Sequence, residues 1–456
     1  MPRDKPPFDP VLIADIKSTM SYSTNFWLRG VPFSFQLLAI GGCLTIAAGL
    51  ELFSGPFQIL TGTGPKIVLP HKYADEIPNL PELDFNEAFR KDFFAHYPGF
   101  DRFRASLDHP LLIPQTLRLK LTPSLGLVTN HLVDEATTAL HDLYGEEREW
   151  RFIAVKQHNL NFVARLSSYM PHNVNIQRDY NDAKSIISAE IERRRIRTEK
   201  LLASGGKPPK VSDAIGWMVE VAGGEKVDYV AAQLSLTVAS IHATTGALTI
   251  ALTDLATYPT VAAQIRAEVI QVLSDGGWSK QALYNMKLMD SFLKESQRLH
   301  PPSDVSMNRK VMCHFSLSDG TRLPKGARLM VASKRRDPET YANPNEFDAR
   351  RFLKLRDDSS NNTNQYVSTS AEMFALGHGK HACPGRFLAS SELKIALAHM
   401  LLKYDWKLDE SDTMPKFFDE EAAHMTNPKL KLKLRRRTEE IHIDMDVDPD
   451  LLDAEE

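Results

Sequence analysis

Cysteine is scarce: Cys43, Cys313 and Cys383 are the three thiols of a 456-residue chain. So few exclude a disulfide-stapled framework and favour a reducing compartment. An excess of one charge is also missing. The 55 Lys and Arg stand against 58 Asp and Glu, a net charge of -3, and both signs are mixed along the chain, so no broad field favours nucleic acid as a partner. The one basic run, residues 429–437, alternates Lys with Leu as far as Leu434 and reads as a strand with one apolar face. The middle of the chain has no long Gly/Ser-rich or Pro-rich linker, and no fixed-period repeat appears. That leaves a single large domain as the simplest organisation. A hydrophobic content of 43% with 25% charged residues belongs to an ordinary globular protein with an extensive core.

Long apolar runs are few. Residues 30–50, just after Arg29, contain no charge and are long enough for one membrane-spanning helix. Ser34, Gln36 and Thr45 interrupt them, so a buried helix is the alternative to an anchor. Asp4, Asp9 and Asp15 precede the run and no small-residue cleavage site follows it, which disfavours a secretory signal. The second run, 229–253, lacks Asp, Glu, Lys and Arg and reads as a central helix buried almost all round, with a second membrane span as its rival. The expected organisation is an N-terminal segment, 1–52, with an anchor at 30–50, then a catalytic domain at 53–438. An acidic, solvated tail at 439–456 completes it.

Local patterns predict mostly helix with small β-sheets. A hairpin is expected where Phe57-Gln58-Ile59-Leu60 and Lys66-Ile67-Val68-Leu69 flank a Thr-Gly-Thr-Gly turn. Helices are expected over 150–169, 180–202, 261–273 and 283–299, the last stopped by Pro301-Pro302. A second hairpin turns at Asp319-Gly320, and 336–364 reads as irregular. Cys383 falls in a glycine-rich loop just before a helix that begins near Pro384.

That position gives the thiol a chemical opportunity. Gly377, Gly379 and Gly385 allow the backbone to curve around a planar group. The helix start offers free amides and a positive dipole end, and Lys380, His381 and Arg386 add positive charge, so a thiolate is expected to be favoured. One soft anionic ligand can hold a haem iron and leave its opposite face open. Zinc is less well served, because only Cys383, His378 and His381 cluster there. A small buried cysteine in a turn, a phosphate cradle without a Walker pattern, and a cysteine hydrolase without an identifiable His/Asn partner stay open from these residues alone.

The stretch Phe374-Ala375-Leu376-Gly377-His378-Gly379-Lys380-His381-Ala382-Cys383-Pro384-Gly385-Arg386-Phe387 resembles the haem-binding segment of cytochromes P450, particularly the fungal membrane-bound members. The family's usual Phe seven positions before the cysteine is Leu376 here. Glu295-Ser296-Gln297-Arg298 resembles its Glu-x-x-Arg, whose i,i+3 spacing sets both charges on one helix face. Arg351 matches the arginine that this pair joins, although Ala349 and Arg350 replace the usual Pro and Glu. Ala243-Thr244-Thr245 resembles the oxygen-activation segment, with Ile241 and Ala243 where Gly and an acidic residue normally stand. His242 beside them reads as a core or packing residue.

The resemblance implies a mainly α, cytochrome P450-like haem-thiolate fold and a monooxygenase acting on a lipophilic small molecule. A fungal terpenoid or related secondary metabolite is the expected class. It implies haem b with Cys383 as axial iron ligand, Thr244 assisting proton placement, and Arg309 and His381 meeting the haem propionates. It further implies structural roles for Glu295, Arg298 and Arg351, and electrons from NADPH through NADPH-cytochrome P450 reductase. That partner would dock near Lys380, Arg386 and Lys394, with the protein at the endoplasmic reticulum membrane and the domain in the cytosol. Residues 161–168 resemble the helix before the substrate roof and 175–195 the helix after it. Only 169–174 lie between, so the roof is expected to be shortened. A haem-binding protein with impaired turnover and a haem-free membrane-associated scaffold are the alternatives.

Overall fold

The computed structural model describes residues 37–38, 55–98, 100–168, 180–207, 213–357, 362–409, 411, 416–420 and 423–444. The N-terminal hairpin forms as the alternation predicts. Phe57 and Ile59 turn inward while Leu60 stays exposed, and strand β2 (Phe57–Thr61) pairs antiparallel with β3 (Gly64–Leu69). They belong to a six-stranded sheet in the order β1 (Leu37–Leu38), β2, β3, β9 (Arg328–Ala332), β6 (Val305–Val311), β4 (Leu83–Asp84). Apart from Leu37–Leu38, the anchor expected at 30–50 lies outside the described residues. So does the junction 169–179.

Helices carry the rest. In chain order they are α1 (Phe85–Asp92), α2 (Asp101–Asp108), α3 (Leu112–Thr116), α4 (Thr122–Tyr144), α5 (Val155–Ser168), α6 (Tyr180–Ala203) and α7 (Ala214–Ala222). Then follow α8 (Tyr229–Thr257), α9 (Pro259–Gly276), α10 (Lys280–Asn285), α11 (Lys287–Leu299), α12 (Arg351–Asp357) and α13 (Arg386–Lys403). A single π-helical turn, Leu117–Leu121, joins α3 to α4. The uncharged α8 starts where Asp228 accepts a hydrogen bond from the Ala231 amide at 2.9 Å, a side-chain N-cap. It ends at Tyr258, where Pro259 opens the next helix.

Packing of α8 against α5 and α13, both of which also pack against α4, makes the main core, in which Leu248, Ala251, Leu252, Phe162, Leu397 and Leu401 are almost inaccessible. Each large side chain so enclosed contributes about 1.5–3 kcal/mol. The helix is long and apolar enough to cross a membrane, yet its inner face is occupied by this core. Burial all round was too strong an expectation: Ala239, His242 and Ala243 are exposed, so His242 is not a core residue.

Three further expectations change, each because of a distant partner. The helix expected from Trp150 begins only at Val155, since Arg151–Ala154 forms strand β5 on the edge of β13 (Lys431–Arg436), Ile153 buried opposite Leu432. The helix expected over 283–299 breaks at Met286, because the Glu268 carboxylate accepts from the Leu288 and Met289 amides at 2.6 and 2.9 Å and restarts the ladder. Within 336–364, α12 forms against α11, the Leu353 amide bonding the Ser291 hydroxyl at 3.0 Å. The chain also stays packed past the expected boundary at 438. Trp278 donates to the Ile443 carbonyl at 2.7 Å, and Asp444 pairs with Lys403 at 2.7 Å.

Candidate active site

Two groups of predicted residues converge, and they differ in kind. In the first, Glu295 and Arg298 on α11 are fully buried and make two bonds of 2.8 Å, Nε to Oε2 and Nη2 to Oε1. Arg351, at the start of α12, adds Nε bonds of 3.1 Å to both carboxylate oxygens. The guanidiniums spend their other hydrogens on the carbonyls of Arg335, Pro344, Glu346, Asn343 and Ala342, and the Asp348 amide reaches Glu295 at 3.0 Å. A buried carboxylate between two cations, with its lone pairs and their donors engaged, is an arrangement that tolerates burial.

The second group is built around the cysteine loop. Cys383 sits three residues before α13, and its amide bonds the Leu376 carbonyl at 2.7 Å. Arg386 closes the turn by donating to the Cys383 carbonyl at 2.8 Å and to Val367 at 3.0 Å. Gly377 and Gly379 both take positive φ, +73° and +67°. A Cβ at Gly379 would collide with Pro78, so the loop rests directly on residues 78–79. Arg118, in the π turn, braces it from outside through the Lys380 carbonyl at 2.8 Å.

The thiol itself departs from expectation. Burial raises the Cys383 pKa, outweighing the Gly385 and Arg386 amides and the Arg386 charge that favour the anion. The sulfur is poorly suited to act as a free thiolate nucleophile and well suited to a bond with a metal cation, which deprotonates a thiol outright.

Arg309 and His381 meet beside this loop. Arg309 is 1% exposed and donates to the Asn308 and Pro78 carbonyls, but its Nε has no partner. Burial pushes its pKa down to about 10. His381 stacks on Phe85 with ring centroids 4.8 Å apart, and the Arg309 guanidinium lies over the same ring at 5.7 Å. Burial, then the Arg309 charge, lowers the His381 pKa to about 4. Strand β6 shifts register between Ser306 and Arg309, and Met307 there takes φ of +59°. Such a bulge re-aims a side chain beside a site.

Thr244 is buried midway along α8, as is Thr245, whose hydroxyl has no hydrogen-bond partner. No hydrogen bond joins Thr244 to the cysteine loop among the described residues. Near the loop, a cavity of about 120 Å³ is bounded by Arg298, Pro301, Val305, Arg335, Met373 and Phe374. His378 turns away to Asp75 at 2.8 Å. Among the described residues no set of three His, Cys, Asp or Glu side chains converges as metal ligands, so a single-ligand metal group suits the loop better than zinc.

The family model described as Cytochrome P450 matches residues 140–434. Cytochrome P450 monooxygenase bsc2 of Alternaria brassicicola is 37% identical over 487 positions, covering 92% of this chain and 93% of the relative. Cytochrome P450 monooxygenase hepE of Aspergillus oryzae is 35% identical over 85% of this chain and 80% of the relative. A third, cytochrome P450 monooxygenase 1 of Gibberella fujikuroi, is 36% identical over 79% and 92%. The chain belongs to the cytochrome P450 family. It is a P450-type monooxygenase, and the family works with haem iron and reductase-derived electrons. The alignment with bsc2 is longer than the chain's own 456 residues, so that relative carries residues this P450 lacks.

The site fits a haem. A loop cysteine outside any converging set of three metal ligands among the described residues suits a haem iron held by one thiolate, and a buried cation with an unused donor suits a carboxylate. One predicted surface contact does not stand: Lys394 is buried, held by Asp290 at 2.7 Å and the Leu283 carbonyl at 3.0 Å, so it cannot meet a partner protein. Arg118 and Lys380 are exposed on that side. Sequence reasoning missed Arg118, Phe85 and Pro78. Phe85 carried one available signal, its place directly after the N-cap Asp84.

Proposed function

We propose that this P450 holds haem b through Cys383 and oxidises a lipophilic small molecule with O2 and electrons from NADPH, delivered by NADPH-cytochrome P450 reductase. The observation that carries the reading is the pairing of a ligand-ready cysteine with Arg309, a buried cation left with an unused donor. Bound haem supplies the oxygen activation. Cys383 would hold the metal and donate electron density to it, while Arg309 and His381, both against the Phe85 ring, would hold the haem carboxylates. Thr244 places a proton or water from its buried position on α8. The saturated Glu295, Arg298 and Arg351 cluster fixes α11 against the segment leading to the cysteine loop. Arg118 and Lys380 offer positive charge to the reductase, the 30–50 segment anchors the chain at the endoplasmic reticulum membrane, and the fungal relatives favour a terpenoid or related secondary metabolite as substrate.

The test is the absorption spectrum of the reduced, carbon-monoxide-bound protein beside Cys383→Ala. The parent is expected to give the thiolate band and the variant to lose it while folded. A parent lacking the band although haem is bound would overturn the ligand assignment, and a colourless preparation would favour a haem-free scaffold.

A second reading has its own support. The aligned length that exceeds this chain, together with the exposed Ala239, His242 and Ala243 on α8, favours a shortened roof. Water then reaches the oxygen side, and electron input is coupled poorly to product. A thiolate band with peroxide release and no product across a lipophilic panel would select this reading.

A further inference from the structure

Four of the six threonines on α8 bond back to the preceding turn: Thr237 to the Gln233 carbonyl at 2.9 Å, and Thr249, Thr253 and Thr257 to the carbonyls of Thr245, Thr249 and Thr253, each at 2.7 Å. Among the described residues Thr244 and Thr245 make no such bond, and the Thr245 hydroxyl is buried without a partner. The back-bonded stripe therefore stops at the Thr245 carbonyl, on the turn that carries Thr244. Hydroxyls that occupy a carbonyl's second lone pair bend a helix and set the position of the turn.

That last bond is governed from outside the helix. Tyr144, at the end of α4, donates to Asn159 Oδ1 at 2.6 Å, and Asn159 Nδ2, on α5, donates to Thr249 Oγ1 at 2.9 Å. All three residues are completely buried. The polarity is fixed by the donors available: a phenol that donates turns the amide oxygen toward itself, and the amide NH2 then leaves the Thr249 hydrogen free for the Thr245 carbonyl. With the amide reversed, Thr249 would have to donate to Asn159 and release that carbonyl.

We propose that Asn159 is a positioning residue, and that the relay Tyr144, Asn159, Thr249 sets the turn bearing Thr244. This rests on the reading of Thr244 as an oxygen-side residue. Thr253 supplies an internal control, being equally buried with the same back-bond but no link to Asn159.

The experiment compares Thr249→Val, Tyr144→Phe and Thr253→Val by two readouts, hydrogen–deuterium exchange across 241–249 in the protein as purified and the C–O stretching band of the ferrous carbon-monoxide complex. Thr249→Val and Tyr144→Phe are expected to speed exchange about fivefold, as loss of one buried hydrogen bond does, and to shift or split the C–O band. Thr253→Val is expected to leave both unchanged. Equal behaviour of Thr249→Val and Thr253→Val overturns the relay. Absence of the thiolate band in the parent would sink the haem assignment alone, because the exchange contrast still decides the relay.

Discussion

The two groups of buried charge in this P450 teach by their difference. Around Glu295 the carboxylate meets two guanidiniums, and the remaining donors end on carbonyls. Around Arg309 a cation just as deeply buried keeps an unused donor, and its pKa falls to about 10. The first arrangement is complete within the protein and reads as architecture. The second is incomplete and reads as a place for an anion. Burial alone does not separate framework from site; the count of satisfied donors does.

The largest test of this contrast is Glu295→Gln, which strands two buried guanidiniums and is expected to cost about 3–5 kcal/mol. Urea unfolding or the yield of soluble protein would show it, and a variant as stable as the parent would mean that the carbonyls alone satisfy both cations. Arg309→Leu should do the reverse. Haem-free stability is expected to move by no more than about 1 kcal/mol, while haem dissociates at least about tenfold faster, as loss of a charge-assisted bond predicts. Equal damage to both properties would place Arg309 with the framework.

The smallest effect is in pH. His381 has a folded pKa of about 4 against an ordinary 6.5, so the unfolded chain binds the proton more readily. Its contribution to stability is complete above 6.5 and is lost as pH falls toward 4. His381→Asn should flatten that part of the haem-free stability curve, and Arg309→Leu should displace it by relieving the charge beside the ring: the folded pKa rises toward 6.5, so the pH-dependent loss shrinks. An unchanged curve in both variants would separate the two residues.

The parts legible in the sequence were those whose meaning is local or strongly patterned. The i,i+3 spacing of Glu295 and Arg298, the uncharged run of α8 and the glycine-bounded cysteine each carry their signal within a few residues. Contacts between distant segments were not legible. Lys394 looked like a surface charge because nothing adjacent announces Asp290 as its partner. Strand β5 read as helix because β13, which recruits it, comes nearly three hundred residues later. Asn159 carries no signal of its own in the sequence, since only the fold brings Tyr144 and Thr249 to its two ends. At Cys383 the limit is similar: sequence shows the charges and the helix start that favour the anion, but not the burial that raises the free thiol's pKa against them.

The footing of the cysteine loop on Pro78, with Phe85 beneath His381, bears on how this enzyme is made. The family match begins at residue 140, yet these supports lie before it and leave the ribosome well ahead of the loop they carry. A fragment confined to the matched span would emerge with every predicted site residue and no floor for the metal pocket to rest on.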